Sequence, residues 1–177
     1  MALLNIIDKI SANIDDGKYT IGIFFDLSKA FDTIKHDILL HKLKVYGIRG
    51  IALAWLASYM SNRMQCVSID DCISESKLIS CEVSQGSILR PLLFFFYIND
   101  IVRSSDLLKC IMFADDTNLF MSNIDLKILI SNVNDERIRV SKWLKVNKLS
   151  LNITKTNFII CHSRQRYITF LHTFFTL

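Results

Sequence analysis

Two adjacent carboxylates lie at the centre of the apolar segment CIMFADDTNLFM, residues 110–121. The apolar residues on either side of Asp115 and Asp116 predict the two strands of a β-hairpin, and residues 115–118 suit its turn because Asp and Asn tolerate a left-handed backbone. Two carboxylates side by side also repel each other unless a cation lies between them. The pair is therefore compatible with ordinary turn chemistry and with a metal site.

A third carboxylate follows a segment that is typical of a buried strand. Residues 19–25, YTIGIFF, are mostly β-branched or aromatic, and Asp26 comes directly after them. Residues 34–46 then have apolar side chains at helical spacing, and Gly47 provides a helix end. Asp26 lies several residues before this periodicity begins, which is remote for a helix cap. Asp32 is nearer and is interpreted as the cap.

These carboxylates meet at one edge of a sheet if the strand that ends at Asp26 pairs beside the hairpin. Mg²⁺ takes oxygen ligands and is often held by one or two carboxylates together with substrate phosphates. Two such ions about 4 Å apart can activate a 3′-hydroxyl and neutralise a leaving pyrophosphate. The pattern therefore favours in-line nucleotidyl transfer. A second pair, Asp70 and Asp71, needs only a turn between two exposed strands, residues 64–69 and 77–83.

The remaining segments predict an α+β fold. Helical spacing predicts helices over residues 3–14, 50–60 and 124–146, the small-residue loop at 84–87 opens into an apolar helix, and residues 147–161 predict a turn followed by an edge strand that carries Lys155. Trp55 is interpreted as a core residue and Glu136 as part of a solvent-facing surface. No repeat or linker divides the chain, which predicts one domain over residues 1–163 and leaves the tail, residues 164–177, unassigned.

The composition excludes several classes of protein. The 177 residues are 51% hydrophobic, but no stretch reaches the roughly 18 uncharged residues of a membrane span. The net charge of +4 permits nucleic-acid binding without requiring it. The five cysteines are scattered and never form CxxC, so they indicate neither a disulfide framework nor a zinc site. An intracellular location is expected, with nucleus and cytoplasm both open.

Four segments together resemble a known family. FFDLSKAFDTIKH, SQGSILRPLLFFFYINDI, FADDTNLF and WLKVNKLSLNITKT occur in the order and rough spacing of four blocks of the reverse transcriptases of non-long-terminal-repeat retrotransposons. From about residue 6 to residue 160 the chain resembles the palm of these enzymes. The resemblance implies an antiparallel sheet backed by helices, with fingers and thumb largely missing. It also implies RNA-directed DNA synthesis on an RNA template, with a DNA primer, a deoxynucleoside triphosphate and Mg²⁺ or Mn²⁺.

The resemblance also implies which residues bind the metal. Asp26 and Asp115 match the principal metal ligands, and Asp116 is the second acid of the hairpin. The backbone carbonyl of Leu27 matches an additional ligand. These matches predict one metal site from two separate segments of the chain.

Four further residues match positions that contact the nucleotide. Phe31 matches the aromatic residue that lies under the incoming sugar and excludes a 2′-hydroxyl by its bulk. Gln85 and Gly86 match the loop that contacts the incoming nucleotide and the templating base. Lys155 matches a basic residue that protonates or neutralises the pyrophosphate, although an exposed lysine on an edge strand also needs no function.

Three departures from the family pattern cluster in one block. Glu82, Ser84 and Arg90 stand where the family usually has Gly, Pro and Gly. Glu82 adds a negative charge near a polyphosphate site. Arg90 is unfavourable if its position needs a positive φ angle or close packing, although an arginine near a nucleic-acid backbone can also bind phosphate. Together with the missing fingers and thumb, these departures predict weak or absent activity.

The sequence leaves three functions open. The first is a truncated reverse transcriptase domain, and the second is a non-enzymatic retroelement remnant that at most binds nucleic acid. The third is a metal-dependent nuclease or phosphatase that uses the carboxylates alone. A palm without fingers and thumb exposes apolar surface, which predicts aggregation or a partner chain over that surface. No membrane partner is expected, since no segment is long and apolar enough for a membrane span.

Overall fold

A computed structural model of the chain describes residues 2–78, 81, 83, 86–113 and 116–164. In chain order its helices are α1 (Ala2–Asp15), α2 (His36–Val45), α3 (Gly50–Met60), α4 (Leu89–Ile98) and α5 (Leu126–Val146), with a 3₁₀ helix at Asn99–Ser104. Its strands are β1 (Tyr19–Phe25), β2 (Met64–Gln65), β3 (Ser68–Ile69), β4 (Cys72–Ile73), β5 (Lys77–Leu78), β6 (Lys109–Phe113), β7 (Asp116–Asn123) and β8 (Asn157–Cys161). The described part of the chain is thus α+β, as the sequence predicts.

The chain divides into two compact units. The first unit contains residues 1–28, 101–146 and 150–177, and the second contains residues 29–100 and 147–149. The single domain predicted for residues 1–163 stays a prediction. Of the unassigned tail, only Arg164 lies within the described residues.

The first unit is a four-stranded antiparallel sheet with the order β6-β7-β1-β8. Helix α5 contacts both β1 and β7, and α1 contacts β1. The antiparallel sheet backed by helices that the sequence predicts is therefore present. Strand β8 forms one edge of the sheet, as expected, and β6 forms the other.

Strand β1 is apolar along nearly its whole length because most of its residues, on both faces of the strand, are buried, and α1 and α5 both contact it. Ile21, Ile23 and Phe25 are all buried. Gly22 lies opposite Phe120 of β7, and a Cβ atom at Gly22 would come within 2.8 Å of that ring. A side chain at this position would therefore displace the ring.

The predicted hairpin is present, but its turn differs from the prediction. Strand β7 begins at Asp116, and the last pair of the β6-β7 ladder joins Phe113 to Asp116. Asp116, Thr117 and Asn118 are strand residues rather than turn residues. Pairing of β7 with β1 on its other side explains this, because a central strand extends as far as its neighbour does.

The second unit packs α2 against α3 and α4. Its core includes Ile34, Leu39 and Leu43 from the segment around α2, and Phe94 and Tyr97 from α4. The region of the two predicted exposed strands forms two short antiparallel ladders, β2 with β5 and β3 with β4, and the Asp70-Asp71 pair lies in the intervening turn. That turn needs no function, as predicted.

Two of the predicted exposures are wrong. Trp55 of α3 is 56% exposed and stacks on Tyr59 with ring centroids 5.8 Å apart, whereas Met60 is the buried residue of this helix. Glu136 of α5 is only 3% exposed, although it lies among charged residues. In α3 apolar residues surround the helix, so helical spacing does not identify which face meets the core. Glu136 is buried because it lies between Val133 and Val140 on the buried face of α5.

The exposure of Trp55 predicts a small effect of its removal. We expect Trp55→Ala to lower the free energy of unfolding by about 1 kcal/mol or less, because the side chain is mostly solvated and loses chiefly its stacking on Tyr59. Urea denaturation followed by circular dichroism measures this difference. Leu39→Ala is the matched control, since Leu39 is fully buried and its truncation should cost about 2–5 kcal/mol. Equal costs for the two variants would contradict the exposed position.

None of the helices in the described ranges is long and apolar enough to cross a membrane.

Candidate active site

The backbone around Asp26 is held by the segment that precedes β8. The carbonyl of Asp26 accepts a hydrogen bond from the N–H of Asn152 at 2.8 Å, and the N–H of Ser28 donates to the carbonyl of Ser150 at 2.8 Å. These two bonds flank a bridge between Leu27 and Leu151. Neither bond uses the carbonyl of Leu27, which the family resemblance implies as a metal ligand.

The end of β1 lies beside the start of β7. Phe24 pairs with Asn118, and Phe25 pairs with Thr117 in the last pair of the β1-β7 ladder. Asp26 and Asp116 are the next residues along the two strands beyond this pair. Phe25 and Thr117 are both buried. The predicted pairing of the strand ending at Asp26 with the hairpin is therefore confirmed at the level of the backbone.

A pocket of about 410 Å³ opens at this point of the first unit. It is lined by Phe24, Phe25, Asp26, Asn118 and Lys155. The lining thus includes residues that carry a carboxylate, an amide and an ammonium group, together with two aromatic residues. Phe24 is held there by an edge-on contact with Phe120, with ring centroids 6.0 Å apart.

Lys155 reaches this pocket from a turn. The N–H groups of Lys155 and Thr156 both donate to the carbonyl of Asn152, at 3.2 and 2.9 Å. Since the N–H of Asn152 donates to the carbonyl of Asp26, one residue joins the lysine-bearing turn to the carboxylate-bearing strand end. The edge strand β8 begins two residues after Lys155, so the prediction that this strand carries the lysine is wrong.

Asn118 and Asn152 are site residues that the sequence interpretation missed. Asn118 carries a usable signal, because an amide oxygen is a hard ligand and the residue is close in sequence to the Asp115-Asp116 pair. Its assignment to the turn hid this signal. Asn152 has no such signal, since its bond to Asp26 joins residues that are far apart in the sequence.

The donor chemistry of the pocket fits a hard cation. Carboxylate oxygens of Asp26 and the amide oxygen of Asn118 are ligands of the kind that Mg²⁺ prefers, whereas the Lys155 ammonium suits a phosphate. Within the described ranges no three His, Cys, Asp or Glu side chains form a cluster. Asp115 lies outside those ranges, so the predicted set of three carboxylates is untested.

The remaining predicted residues belong to the second unit or lie outside the described ranges. Phe31 is partly buried, and Gly86 adopts a φ of 79° that favours glycine. An added Cβ at Gly86 would meet no atom within 4 Å, so the backbone conformation rather than crowding selects glycine there. Gln85, Glu82 and Ser84 lie outside the described ranges.

The prediction that Asp32 caps α2 is wrong, and the positive φ that would make Arg90 unfavourable is not present. Arg90 is the second residue of α4 and has helical backbone, so its position does not require a positive φ. Asp32 does not cap α2, which begins at His36 after Lys35. Instead Asp32 and Arg90 form an ion pair, with Oδ1 and Nη2 2.6 Å apart.

The reactivity of Cys110 tests whether strand β6 of the hairpin is buried. Burial raises the pKa of the Cys110 thiol in β6 to about 11, whereas Cys66 and Cys72 are exposed. At pH 8 we expect iodoacetamide to modify Cys110 about tenfold more slowly than Cys66 or Cys72. The smaller thiolate fraction outweighs the greater nucleophilicity that accompanies a higher pKa.

Mass spectrometry of peptides from a time course measures the three labelling rates in one sample. Labelling in urea is the control, because unfolding should bring the three rates together. A Cys110 rate equal to that of Cys66 in the folded chain would contradict the buried position of this strand.

Comparison with known proteins gives a consistent match. A family model described as "Reverse transcriptase (RNA-dependent DNA polymerase)" matches residues 3–172. The chain is 27% identical over 168 residues to a probable RNA-directed DNA polymerase from transposon X-element of Drosophila melanogaster, and covers 18% of that protein. It is 27% identical over 150 residues to the RNA-directed DNA polymerase from mobile element jockey of the same species.

These alignments cover 93% and 80% of the chain, but the chain spans less than a fifth of either relative. Among solved structures, telomerase from Candida tropicalis in complex with a fragment of telomeric RNA has a similar fold, with a TM-score of 0.65 and 13% identity. The similarity covers 89% of this chain and 29% of the telomerase chain. At this identity the structural match supports the fold alone.

Proposed function

Since the chain belongs to the reverse transcriptase family, as a domain of a non-long-terminal-repeat retrotransposon polymerase, we propose that it joins deoxynucleotides to a DNA primer on an RNA template. The observation that carries this proposal is the shared pocket of Asp26 and Lys155 at the end of β1. Nucleotide addition bonds the primer 3′-oxygen to the α-phosphorus of the incoming nucleotide and releases pyrophosphate. A pocket for this reaction needs both cation ligands and a group that pairs with phosphate.

Asp26, Asp115 and Asp116 are the proposed ligands of Mg²⁺ or Mn²⁺, with the Leu27 carbonyl as a further ligand. A bound divalent ion supplies Lewis-acid activation of the primer hydroxyl and neutralises charge on the phosphates. The position of Asp26 directly beyond the last β1-β7 pair supports this assignment, because that pairing brings the backbone of Asp116 alongside. The hydrogen bond from Asn152 holds the backbone at Asp26.

Lys155 is proposed to pair with the pyrophosphate as it leaves and to protonate it. Its ammonium is on an exposed turn of the same pocket as Asp26, so it can approach a phosphate without the cost of removing a charge from water. Phe31 is proposed to exclude a 2′-hydroxyl, and Gln85 and Gly86 to contact the nucleotide and the templating base. Gly86 is exposed and an added Cβ there would meet no atom within 4 Å, which leaves its backbone accessible to a ligand.

The accommodation of Arg90 removes one argument for a decayed remnant. This residue replaces a glycine of the family, yet it has helical backbone and an ion pair with Asp32 at 2.6 Å. A random loss of glycine at a position that required a positive φ would instead have strained the chain. The departure at residue 90 therefore does not argue against activity.

Primer extension tests the proposal. The purified chain is incubated with a labelled DNA primer on an RNA template, the four deoxynucleoside triphosphates and Mg²⁺ or Mn²⁺. We expect extension that EDTA abolishes and whose first added nucleotide follows the templating RNA base. A folded chain that extends nothing with either metal would indicate a non-enzymatic remnant. Release of nucleotides from labelled DNA without added triphosphates would instead indicate a nuclease.

A further inference from the structure

Arg90 contacts two consecutive residues of the segment between β1 and α2. Its Nη2 lies 2.6 Å from Oδ1 of Asp32, and its guanidinium carbon lies 5.0 Å from the ring centroid of Phe31. The Arg90 side chain is only 14% exposed, so these contacts occur in a largely desolvated place. A planar guanidinium can make both contacts at once, because it stacks through its face and donates hydrogen bonds through its edge.

Phe94 completes the surroundings of the Phe31 ring. The two ring centroids are 4.6 Å apart, with the planes tilted by 42°. Arg90 and Phe94 are four residues apart in α4 and therefore lie on the same face of that helix. One helix face thus supplies both the cation and the aromatic ring that contact Phe31.

The backbone at Phe31 cannot fix the ring without such contacts. Residues 28–33 form turns and a bend rather than a helix or strand, and Lys29 has a φ of 49°. A side chain on a turn keeps one orientation only if tertiary contacts hold it. The family's usual glycine at residue 90 would supply neither the stacking contact nor the ion pair.

We propose that Arg90 is a positioning residue that fixes the Phe31 ring for selection between deoxyribose and ribose. This inference rests on the proposed function, in which Phe31 lies under the incoming sugar. Asp32 orients the guanidinium, and Phe94 supports the ring. A ring that is fixed in this way excludes a 2′-hydroxyl more strictly than one that can rotate away.

The alternative role for Arg90 is direct binding of phosphate. The geometry favours positioning, because the guanidinium is mostly buried and Nη2 already donates to a carboxylate. The two roles differ in what they predict. A phosphate contact lowers kcat/KM for deoxynucleotides and ribonucleotides alike, whereas a positioning residue changes their ratio.

The test compares Arg90→Met, which keeps the length of the side chain, with Arg90→Lys, which keeps the charge. We measure kcat/KM for a deoxynucleotide and its ribonucleotide in primer extension. Arg90→Met should lower the preference for the deoxynucleotide about tenfold, and Arg90→Lys should retain an intermediate preference. An unchanged ratio in Arg90→Met, or an equal loss for both nucleotides, would overturn the proposal.

A second measurement separates this proposal from the proposed function. Thermal unfolding is compared for Arg90→Met, Phe31→Leu and the double variant, in the absence of any substrate. If the two side chains are coupled, the double variant should unfold at a higher temperature than the sum of the two single shifts gives. Additive shifts would overturn the positioning role. A chain that extends no primer would overturn the proposed function, and the unfolding data would still decide whether Arg90 holds Phe31.

Discussion

An Asp26→Asn variant is expected to add nucleotides at least about a thousandfold more slowly than the unchanged chain. Replacing one carboxylate oxygen by an amide nitrogen removes a charge and a hard ligand from the pocket at the end of β1. Metal-dependent charge stabilisation contributes several kcal/mol to such a reaction, and about 4 kcal/mol corresponds to a thousandfold. Single-nucleotide primer extension under saturating Mg²⁺ measures the loss.

Metal binding is the independent readout for this variant. Electron paramagnetic resonance of Mn²⁺ measures the concentration of the free ion. We expect Asp26→Asn to raise the Kd of the tightest site about tenfold or more, so the fraction of occupied sites should differ less between the two proteins when Mn²⁺ is in excess. Equal Mn²⁺ affinities for the variant and the unchanged chain would contradict the assignment of Asp26 as a ligand, whatever the activity.

Asp71→Asn is the matched control for Asp26→Asn. It removes the same charge from an exposed turn between β3 and β4, where the aspartate needs no function. We expect it to retain full primer extension and full Mn²⁺ affinity. A loss of activity in Asp71→Asn similar to that of Asp26→Asn would mean that net charge, rather than a specific ligand, controls the reaction.

Local signals are sufficient for two elements, one of which is the strand that ends at Asp26. The run of β-branched and aromatic residues before Asp26 predicts strand β1 with the observed bounds, and the helix from Gly50 to Met60 is also predicted with its observed ends. In both places most residues are apolar and a polar residue follows the segment. Such signals depend on neighbours in the sequence, so the sequence alone contains them.

Features that depend on distant residues were not predictable in the same way. The tolerance of Asp and Asn for a left-handed backbone predicts a turn that includes Asn118, but Asn118 pairs with Phe24 of β1 and is a strand residue. The prediction that Asp32 caps α2 used only its position, whereas its partner Arg90 lies 58 residues away in the sequence. Trp55 is hydrophobic but exposed, because the sequence pattern of a strongly apolar helix does not identify its buried side.

A buried lysine in the second unit allows the other large effect to be predicted. Lys42 of α2 is 8% exposed, and its Nζ donates to the carbonyl of Tyr97 at 2.5 Å and to Oδ1 of Asp100 at 2.6 Å. The same Nζ lies 5.0 Å from the centroid of the Tyr97 ring. These contacts join α2 to the end of α4, so the stability of the helical unit depends on a charge that is mostly removed from water.

Asp100→Ala is expected to lower the free energy of unfolding by about 2 kcal/mol at pH 7. Removing one partner of a buried ion pair typically costs about 3–5 kcal/mol, and the cost here is smaller because a third of the Asp100 side chain is exposed to solvent. Urea denaturation measures the change. Asp100→Asn is the matched control, because it keeps a hydrogen-bond acceptor for Lys42 and should lose less.

The pH dependence of that loss identifies its cause. Burial lowers the pKa of Lys42 below its usual 10.5, and the hydrogen bond and charge of Asp100 raise it only in part. Without Asp100 the pKa of Lys42 should fall further. The folded variant then releases a proton at a pH where the unfolded chain still holds it, so its stability rises with pH through this window. The difference between Asp100→Ala and the unchanged chain should therefore shrink as the pH rises from 7 towards the usual lysine pKa of 10.5. A difference that stays constant or grows over this range would show that lost packing, rather than a buried unbalanced charge, destabilises the variant.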